Sequence, residues 1–317
     1  MPYDGPFDKV SREPMIAAGI DLGGTKIETQ IFDTDWICID RQRVDTPSSY
    51  SMLVKALVDQ AQWADGLAGK PLPVGIGAAG LLNPASGLVY AANLPAMNRP
   101  LHKDIEAKLG RKITYINDCR ALALSETVFG AGRGINSVAA LILGTGVGGG
   151  LTIGGKLVPS FAAVGGEFGH LPASAHLIAK YGLPLLQCGC GRVGCCETLI
   201  SGPGMNRIAR RFMGQDISPE NLVEMKGTNT LAAQVWAVWC DLLADLLITL
   251  VFTFDPLSIV IGGGLSKIPN LIEDLTAALH RAQFPGFAIP QLVIAQGGDA
   301  SGARGAAYMA AQEHKFG

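Results

Sequence analysis

Four cysteines fall within nine positions of this 317-residue chain, and a histidine precedes them. The cysteines are Cys188, Cys190, Cys195 and Cys196, and the histidine is His170. Three cysteines and one histidine can form a closed tetrahedral zinc site, which is the structural type. The chain has seven cysteines, an odd number, and this favours metal binding over disulfides or free buried thiols. We assign Cys195 as the third thiolate because its four-residue gap from Cys190 gives a compact knuckle, and we leave Cys196 as a spare core residue.

A second candidate group is the pair Asn117 and Asp118, which follows a short apolar run at residues 113–116. A carboxylate beside an amide at the end of a strand suits a general base that takes a proton from a substrate hydroxyl. Asparagine and aspartate are also preferred N-caps, and residues 121–129 have helical character. The residues alone leave both the catalytic and the capping interpretation open.

Two glycine-rich loops, each between strand-like runs, have the composition of phosphate-binding turns. The first, at residues 19–26, contains Gly19, Asp21, Gly23, Gly24, Thr25 and Lys26, and the second contains Gly144, Thr145 and Gly146. Glycines let backbone N–H groups turn toward an anion. The first loop is not a Walker A motif, since its threonine precedes its lysine and a strand follows. A tight hairpin with an incidental aspartate is the alternative interpretation.

Two segments match the dinucleotide pattern G-x-G-x-x-G, at residues 75–80 and 144–149. In dinucleotide-binding proteins this motif opens a helix. Here a turn follows the first match and a strand-like run at residues 151–157 follows the second, which disfavours a Rossmann dehydrogenase. A third glycine run, Gly262, Gly263 and Gly264, follows an apolar strand and could pass beneath a nucleoside, with an ordinary strand-to-helix turn as the alternative.

The composition excludes several classes of function. The net charge is −2 and the isoelectric point is about 6.2, so no basic surface for nucleic acid or anionic lipid is expected. Charged residues make up 16% of the chain and apolar residues 48%, which indicates an ordered, tightly packed protein. Residues 1–15 contain no apolar signal core, and the uncharged stretch 138–155 is too rich in glycine for a membrane helix. We therefore expect a cytoplasmic protein without a membrane partner.

Apolar periodicity predicts an α/β protein of two halves. Strands are predicted at residues 16–20, 27–32, 72–76, 113–116, 138–143, 150–158, 258–261 and 292–294, and helices at residues 51–64 (with Thr46 and Ser48 as caps), 103–109, 121–129, 231–253, 269–281 and 302–312. Residues 16–32 and 138–158 share the order strand, glycine turn, strand, which indicates an internal repeat that begins each half. We expect a small domain of residues 15–118 with the C-terminal helix 302–317, and a large domain of residues 119–301 with the cysteine knuckle.

In this order, the motifs resemble the ROK family (repressor, open reading frame, kinase) of sugar kinases, from residue 16 to the C terminus. The pattern E-x-G-H at residues 167–170, followed by C-x-C-G-x-x-G-C at residues 188–195, is highly specific to that family. YAANLPA at residues 90–96, ALSE at residues 123–126 and the 17-residue spacer between His170 and Cys188 are similar to bacterial N-acetylglucosamine kinases. The resemblance implies an actin/hexokinase-like fold, which is a duplicated ribonuclease H-like α/β architecture with a cleft between two domains.

The resemblance also implies a role for each motif residue. Asp118 would be the catalytic base; Asn93, Asn117, Asp118, Glu167, His170 and Glu197 would bind the sugar; Gly19, Asp21, Gly23, Gly24, Thr25, Lys26, Gly144, Thr145, Gly146, Gly262, Gly263 and Gly264 would bind ATP, with Asp21 near Mg²⁺; and His170, Cys188, Cys190 and Cys195 would bind a structural Zn²⁺. Zinc would then orient His170 toward the sugar and would not take part in the chemistry.

The implied reaction is ATP-dependent phosphorylation of the 6-hydroxyl of an amino sugar, with N-acetyl-D-glucosamine ahead of N-acetylmannosamine, glucose or fructose. A sugar sensor without catalysis is the alternative outside enzymes, and the presence of Asp21 and Asp118 argues against it. Residues 1–15 are too few for the helix-turn-helix of the family's repressors, and the resemblance implies a homodimer. Two positions depart from the family pattern: Arg120 stands where asparagine is usual, and Ala79 stands where proline is usual.

Overall fold

The computed structural model describes residues 14–298 and 301–316. Its strands are β1 (Ala17–Leu22), β2 (Lys26–Phe32), β3 (Cys38–Asp45), β4 (Val74–Ala78), β5 (Leu81–Leu82), β6 (Val89–Tyr90), β7 (Thr114–Asn117), β8 (Ser137–Leu143), β9 (Val147–Ile153), β10 (Lys156–Leu157), β11 (Ser258–Gly262) and β12 (Gln291–Ile294). Its helices are α1 (Tyr50–Ala68), α2 (Leu101–Leu109), α3 (Asp118–Phe129), α4 (Ala175–Tyr181), α5 (Glu197–Ile200), α6 (Gly202–Met213), α7 (Pro219–Met225), α8 (Thr230–Phe254), α9 (Leu271–Ala282) and α10 (Ser301–Phe316). Most of the polar lead, on which the expectations about export signals and DNA-binding modules depend, lies outside the described residues.

Two five-stranded sheets share one topology. Their strand orders are β3-β2-β1-β4-β7 and β10-β9-β8-β11-β12. In each sheet an antiparallel hairpin, β1–β2 or β8–β9, lies beside two parallel strands. The predicted internal repeat is therefore confirmed in the sheets, because each glycine turn joins the two strands of the hairpin that opens its half.

The strand sequences fit their places in the sheets. β8 and β11 are central and consist of nearly unbroken apolar runs, as expected for strands that are covered on both faces. β3 is an edge strand in which exposed and half-buried positions alternate, and the charged residues Arg41, Arg43 and Asp45 occupy exposed positions. The sequence analysis missed β3 because it contains few apolar residues. The strand predicted at residues 150–158 is interrupted by a turn at Gly154 and Gly155, which separates β9 from β10.

The C-terminal helix α10 returns to the first sheet and packs against β1, β4 and α3. The approach is close because small residues meet: a Cβ on Gly19 would lie 1.9 Å from the carbonyl oxygen of Ala303, and one on Gly75 would lie 1.9 Å from that of Ala306. α3 packs against α10 and also against β8 and β9. Helix α3 therefore lies at the junction of the two halves. The domain boundary that was predicted at its start, between residues 118 and 119, stays a prediction.

The 25-residue helix α8 runs through the core of the second half. The helix is long enough to cross a membrane, and an 18-residue stretch of it has a mean hydropathy of 2.0. However, 72% of that stretch is buried inside the protein. Trp239 and Leu243 are fully buried in this core. The helix ends at Asp255, which adopts a left-handed conformation before Pro256. α8 is thus a core helix, in agreement with the helix predicted at residues 231–253.

The helices α4 to α7 were not predicted, and α6 shows why. Its first turn contains Gly202, Pro203 and Gly204, which are residue types that lower helix propensity. Proline is tolerated in a first turn because its missing N–H has no partner there. The Oγ of Ser201 accepts a hydrogen bond from the N–H of Gly204 at 3.2 Å and caps the helix. These residues therefore begin a helix, although their composition is that of a loop.

Candidate functional site

Asp118 is the first residue of α3 and directly follows β7. Its Oδ1 accepts hydrogen bonds from the N–H of Cys119 at 2.8 Å and from the Nδ2 of Asn117 at 3.0 Å. Asn117 is the N-cap of the helix, because its Oδ1 accepts a hydrogen bond from the N–H of Arg120 at 3.2 Å. Burial raises the pKa of Asp118 above its ordinary value, although these hydrogen bonds act in the opposite direction. The capping interpretation thus applies to Asn117, and Asp118 is left as a half-buried carboxylate with increased proton affinity.

The turn after β4 holds Asn117 in place. Gly80 has a φ of 147°, and a Cβ there would lie 2.7 Å from the Cβ of Ala91, so the position requires glycine. The carbonyl oxygen of Gly80 accepts a hydrogen bond from the Nδ2 of Asn117 at 3.3 Å. The N–H of Ala79 donates to the carbonyl oxygen of Leu22 at 3.1 Å, and a proline could not make this bond. The alanine that departs from the family pattern therefore ties this turn to the end of β1.

The first glycine loop joins β1 to β2. The N–H of Gly23 donates to the carbonyl oxygen of Lys26 at 3.0 Å and closes the turn. Gly24, Thr25 and Lys26 are exposed at its tip. A Cβ on Gly24 would lie 3.0 Å from the carbonyl oxygen of Asn93, so the segment that contains Asn93 lies against this loop. The structure thus brings Asn93, which was predicted to bind the sugar, to the predicted phosphate-binding loop.

Two residues of the same motif lie within β1 itself. The Oδ1 of Asp21 lies 3.3 Å from the position that a Cβ on Gly302 would occupy, so the carboxylate approaches the first turn of α10. Gly19 is buried two residues earlier, where its missing side chain makes room for α10. Gly19 therefore makes room for α10 and lies away from the exposed tip of the loop, and its assignment to the nucleotide stays a prediction.

Thr46 was predicted as a helix cap, but it supports the first glycine loop. Its Oγ1 donates to the carbonyl oxygen of Gly23 at 2.7 Å, and its N–H donates to that of Thr25 at 3.0 Å. α1 is capped by Ser49 and not by Thr46 or Ser48. The sequence analysis missed this role of Thr46 because the contact joins residues 23 positions apart, and no local pattern indicates it.

The second glycine loop joins β8 to β9 in the same hairpin form as the first. The N–H of Gly144 donates to the carbonyl oxygen of Gly146 at 3.0 Å, and Thr145 is exposed at the tip. The N–H of Gly202, at the start of α6, donates to the carbonyl oxygen of Gly144 at 2.9 Å. The start of α6 therefore fixes this loop.

The third glycine run lies against the second loop. Gly263 has a φ of 87°, and a Cβ there would lie 2.3 Å from the carbonyl oxygen of Leu143 at the end of β8. Gly262 packs against Leu122, whereas the Cβ position of Gly264 faces open space. A cavity of about 540 Å³ adjoins Gly264 between α7 and the start of α9. The run therefore packs against the second loop and adjoins a cavity, and its role in binding a nucleoside stays a prediction.

Glu167, His170 and Glu197 form a row of polar side chains beside the second loop. The Nε2 of His170 lies 3.7 Å from a carboxylate oxygen of Glu167, and its Nδ1 lies 3.4 Å from one of Glu197. Glu197 also accepts a hydrogen bond from the N–H of Val147 at 3.3 Å. Burial raises the pKa of Glu167, with the charges of Asp118 and Glu197 acting in the same direction and His170 against it. The row presents several acceptors to the hydroxyl groups of a polar ligand.

His170 also belongs to the predicted metal cluster with Cys188, Cys190 and Cys195. The four ligand atoms lie within 4.8 Å of one another. The Sγ of Cys188 is 3.6 Å from the Nδ1 of His170, and the Sγ atoms of Cys190 and Cys195 are 3.6 Å apart. Tetrahedral Zn²⁺ with Zn–S bonds of about 2.3 Å requires ligand separations of about 3.8 Å, so the donor set and its spacing fit zinc. Cys196 is buried outside this group, and its Sγ contacts backbone carbonyl oxygens.

The ROK family matches residues 17–313 of this chain. The N-acetylgalactosamine kinase of Shewanella sp. (strain ANA-3) is 41% identical over 294 residues, which cover 92% of this chain and 95% of that protein. The N-acetyl-D-glucosamine kinase of Pectobacterium atrosepticum is 37% identical over 296 residues, which cover 92% of this chain and 97% of that protein.

Among solved structures, a ROK family glucokinase from Streptomyces griseus in complex with glucose and AMPPNP is similar in fold. The TM-score is 0.74 at 29% identity, over 94% of this chain and 99% of that chain. The predicted actin/hexokinase-like fold class is confirmed by this similarity and by the duplicated sheets. The ROK family model matches nearly the whole length of this chain, and relatives are 37–41% identical to it. The chain therefore belongs to the ROK family.

Proposed function

We propose that this protein is an ATP-dependent kinase that phosphorylates the 6-hydroxyl of an N-acetylhexosamine. The observation that carries the proposal is the position of Asp118, a half-buried carboxylate directly after β7 that is held through one oxygen. The two relatives above carry the names of N-acetylhexosamine kinases. The similar glucokinase binds glucose together with an ATP analogue, which supports ATP as the phosphoryl donor.

N-acetyl-D-glucosamine is the first candidate substrate, because YAANLPA and the 17-residue spacer resemble kinases for that sugar. N-acetyl-D-galactosamine is the second, because the relative at 41% identity is named for it. These two sugars differ only in the configuration at C4. N-acetylmannosamine, glucose and fructose are further alternatives. A sensor without catalysis would have no need of a base such as Asp118.

Asp118 would accept the proton of the 6-hydroxyl as the oxygen attacks the γ-phosphate. The proton passes from the sugar oxygen to the carboxylate and a bond forms between that oxygen and the γ-phosphorus, while the bond from the γ-phosphorus to the β,γ-bridging oxygen breaks and ADP leaves. Burial increases the proton affinity of Asp118, which suits this role. Hydrogen bonds from Asn117 and Cys119 to Oδ1 fix the carboxylate, so that the hydroxyl is kept in line with the leaving group.

The three glycine runs would bind ATP. The exposed backbone and side-chain donors of Gly24, Thr25 and Lys26 suit phosphate oxygens, and the cavity beside Gly264 suits the nucleoside. Bound Mg²⁺ would neutralise charge on the β- and γ-phosphates. Asp21 is the carboxylate best suited to hold it, because it lies one residue before the end of β1, beside the first loop.

Zn²⁺ would be held by His170, Cys188, Cys190 and Cys195. Four protein ligands leave no open position, so the role would be structural. The Nδ1 of His170 lies toward the thiols, whereas its Nε2 lies toward Glu167. Zinc would thus fix the imidazole so that its other edge, together with Glu167, can hold a sugar hydroxyl.

We also propose that the small domain (residues 15–118 with 302–317) closes toward the large domain (residues 119–301) on the sugar and excludes water. A cytoplasmic homodimer that does not bind nucleic acid or membrane is consistent with the acidic balance of the chain. The exposed rings of Phe252, Phe284 and Phe287 support an interface, because their stacked and edge contacts of 4.9 and 6.0 Å form one apolar cluster.

The test is a phosphorylation assay with purified protein, ATP and Mg²⁺ against the two N-acetylhexosamines, N-acetylmannosamine, glucose and fructose. We expect a preference for one of the first two sugars, with the phosphate located on O6 by nuclear magnetic resonance. Sugar binding without turnover would favour a sensor. Turnover of glucose or fructose alone would contradict the N-acetylhexosamine assignment.

A further inference from the structure

Arg120 lies on the first turn of α3, two residues after Asp118, and the stem of its side chain packs against β9. Its Cγ is 3.6 Å from the Cβ position of Gly150. Arg120 lines a cavity of about 50 Å³ beside β7, together with Tyr115 and Asn117. This volume exceeds the roughly 10–15 Å³ that one water requires. Asn117, which lines the cavity, donates a hydrogen bond to the carboxylate of Asp118.

The guanidinium of Arg120 has unused donors. Within residues 14–298 and 301–316 its side chain makes no hydrogen bond and no ion pair, and only its backbone N–H is engaged, by Asn117. The charge that favours its protonated form is that of Glu167, which belongs to the row of polar side chains in the proposed sugar site. A partly buried guanidinium without an acceptor is unfavourable unless a ligand supplies one.

Tyr115 contributes a second unused donor to the same region. Its hydroxyl is buried and has no hydrogen-bond partner in the described part of the chain. Burial and the charge of Asp118 raise its pKa, so the phenol keeps its proton at neutral pH. Two donor groups without acceptors beside the catalytic carboxylate indicate that an oxygen of the substrate belongs there.

We propose that Arg120 is a specificity-determining residue whose guanidinium donates a hydrogen bond to the 4-hydroxyl oxygen of the hexosamine. This inference rests on the function proposed above, in which Asp118 holds the 6-hydroxyl. In a hexopyranose the 4-hydroxyl is the free ring hydroxyl nearest to C6. A donor on the helical turn that carries Asp118 therefore meets O4 before O3 or the acetamido group. Because N-acetylglucosamine and N-acetylgalactosamine differ at C4, Arg120 sets the preference between them.

The test is a thermodynamic cycle, analogous to a double-mutant cycle, in which one change is made in the protein and the other in the sugar. kcat/KM is measured for the wild type and for Arg120→Met, with the preferred N-acetylhexosamine and with its 4-deoxy analogue. Both epimers give the same 4-deoxy compound, so one analogue serves whichever sugar is preferred. Methionine keeps a long stem against Gly150 and removes every donor. Arg120→Gln tests the same contact if the methionine variant is unstable, and Arg133→Met, on an exposed turn, is the matched control.

We expect Arg120→Met to lower kcat/KM on the parent sugar roughly 10- to 100-fold, the range for loss of a hydrogen bond to a charged group. On the 4-deoxy analogue the variant should stay within about twofold of the wild type. Arg133→Met should leave both values unchanged. An equal loss on both sugars would overturn the proposal, because Arg120 would then act through Glu167 or through the fold. A wild-type protein inactive on every sugar would instead overturn the proposed function, and this assignment with it.

Discussion

The carboxylate of Glu197 accepts a hydrogen bond from the N–H of Val147, 3.3 Å away. Its other oxygen lies 3.4 Å from the Nδ1 of His170 and 3.0 Å from the Sγ of Cys188. Val147 begins β9, directly after the second glycine loop. One side chain therefore links the predicted metal cluster to the predicted phosphate loop, and disturbance of the cluster should affect both substrates.

Cys190→Ser should remove most of the bound zinc and weaken sugar binding, because the cluster loses one of its three thiolates. Cys196→Ser is the matched control: this thiol is a buried neighbour that lies outside the cluster. Zinc is measured by elemental mass spectrometry and sugar affinity by calorimetry. Full zinc content in Cys190→Ser, or loss of zinc in Cys196→Ser, would contradict the ligand assignment.

Asp118→Asn should lower kcat by roughly 10²- to 10⁴-fold, the usual contribution of a general base. The amide is nearly the same size and can still accept the N–H of Cys119. The sugar Kd should therefore change little, and circular dichroism should show an unchanged fold. Steady-state kinetics and calorimetry on one preparation separate the two effects. A variant with wild-type kcat would remove Asp118 from the mechanism.

The same substitution should stabilise the folded protein at neutral pH. Burial raises the folded-state pKa of Asp118, so the ionised carboxylate disfavours folding at pH values above that pKa. The advantage of asparagine should be fully present there and should vanish below the unfolded-state pKa of about 3.9, where the wild type is protonated in both states. Melting temperatures between pH 4 and 8 test this, with the exposed Asp59→Asn as control. A difference that does not depend on pH would count against a raised pKa.

The sequence predicted those parts of the molecule whose signals are local. The glycine hairpins, the central strands and α8 each carry their own periodicity, and the cysteine spacing brings three thiols together within one short loop. Contacts between distant residues left no such signal. Thr46 is of a residue type common at helix N-caps, but its side chain supports Gly23. Gly19 is of a residue type common in loops, but it makes room for Ala303. The sequence could not assign the N-cap and the candidate base to Asn117 and Asp118, because the two residues are adjacent and either type can cap a helix. In the structure Asn117 caps α3, and Asp118 is left as the candidate base.

Gly19→Ala should lower the free energy of unfolding by roughly 1–3 kcal/mol, the usual range for overpacking, because its Cβ would meet the backbone of Ala303. Gly66→Ala is the matched control: nothing lies within 4 Å of that Cβ position on the exposed face of α1. It should raise stability by about 0.5–1 kcal/mol through helix propensity. Denaturant unfolding measures both. If Gly19→Ala instead weakened only ATP binding and left stability intact, Gly19 would belong to the nucleotide site after all.

Glu126 is a buried carboxylate of α3 that joins the two halves near α10. It accepts hydrogen bonds of 2.7–3.1 Å from the N–H groups of Ala131, Gln296 and Gly297 and from the Oγ of Ser301. Burial alone would raise its pKa, but these four hydrogen bonds outweigh burial and lower it. The ionised form is therefore the one that stabilises this junction.

Glu126→Gln should lower the free energy of unfolding at neutral pH by about 2–3 kcal/mol, because the amide offers one acceptor oxygen and turns an NH₂ group toward N–H donors. A lowered folded-state pKa contributes stability above the unfolded-state pKa of about 4.3, and this stability is lost as the pH falls through the folded value. The gap between wild type and variant should thus be constant near neutral pH and shrink in acid. Glu224→Gln, exposed on α7, should change stability by less than about 0.5 kcal/mol. Equal stability of Glu126→Gln and the wild type at pH 7 would mean that these hydrogen bonds do not hold the junction.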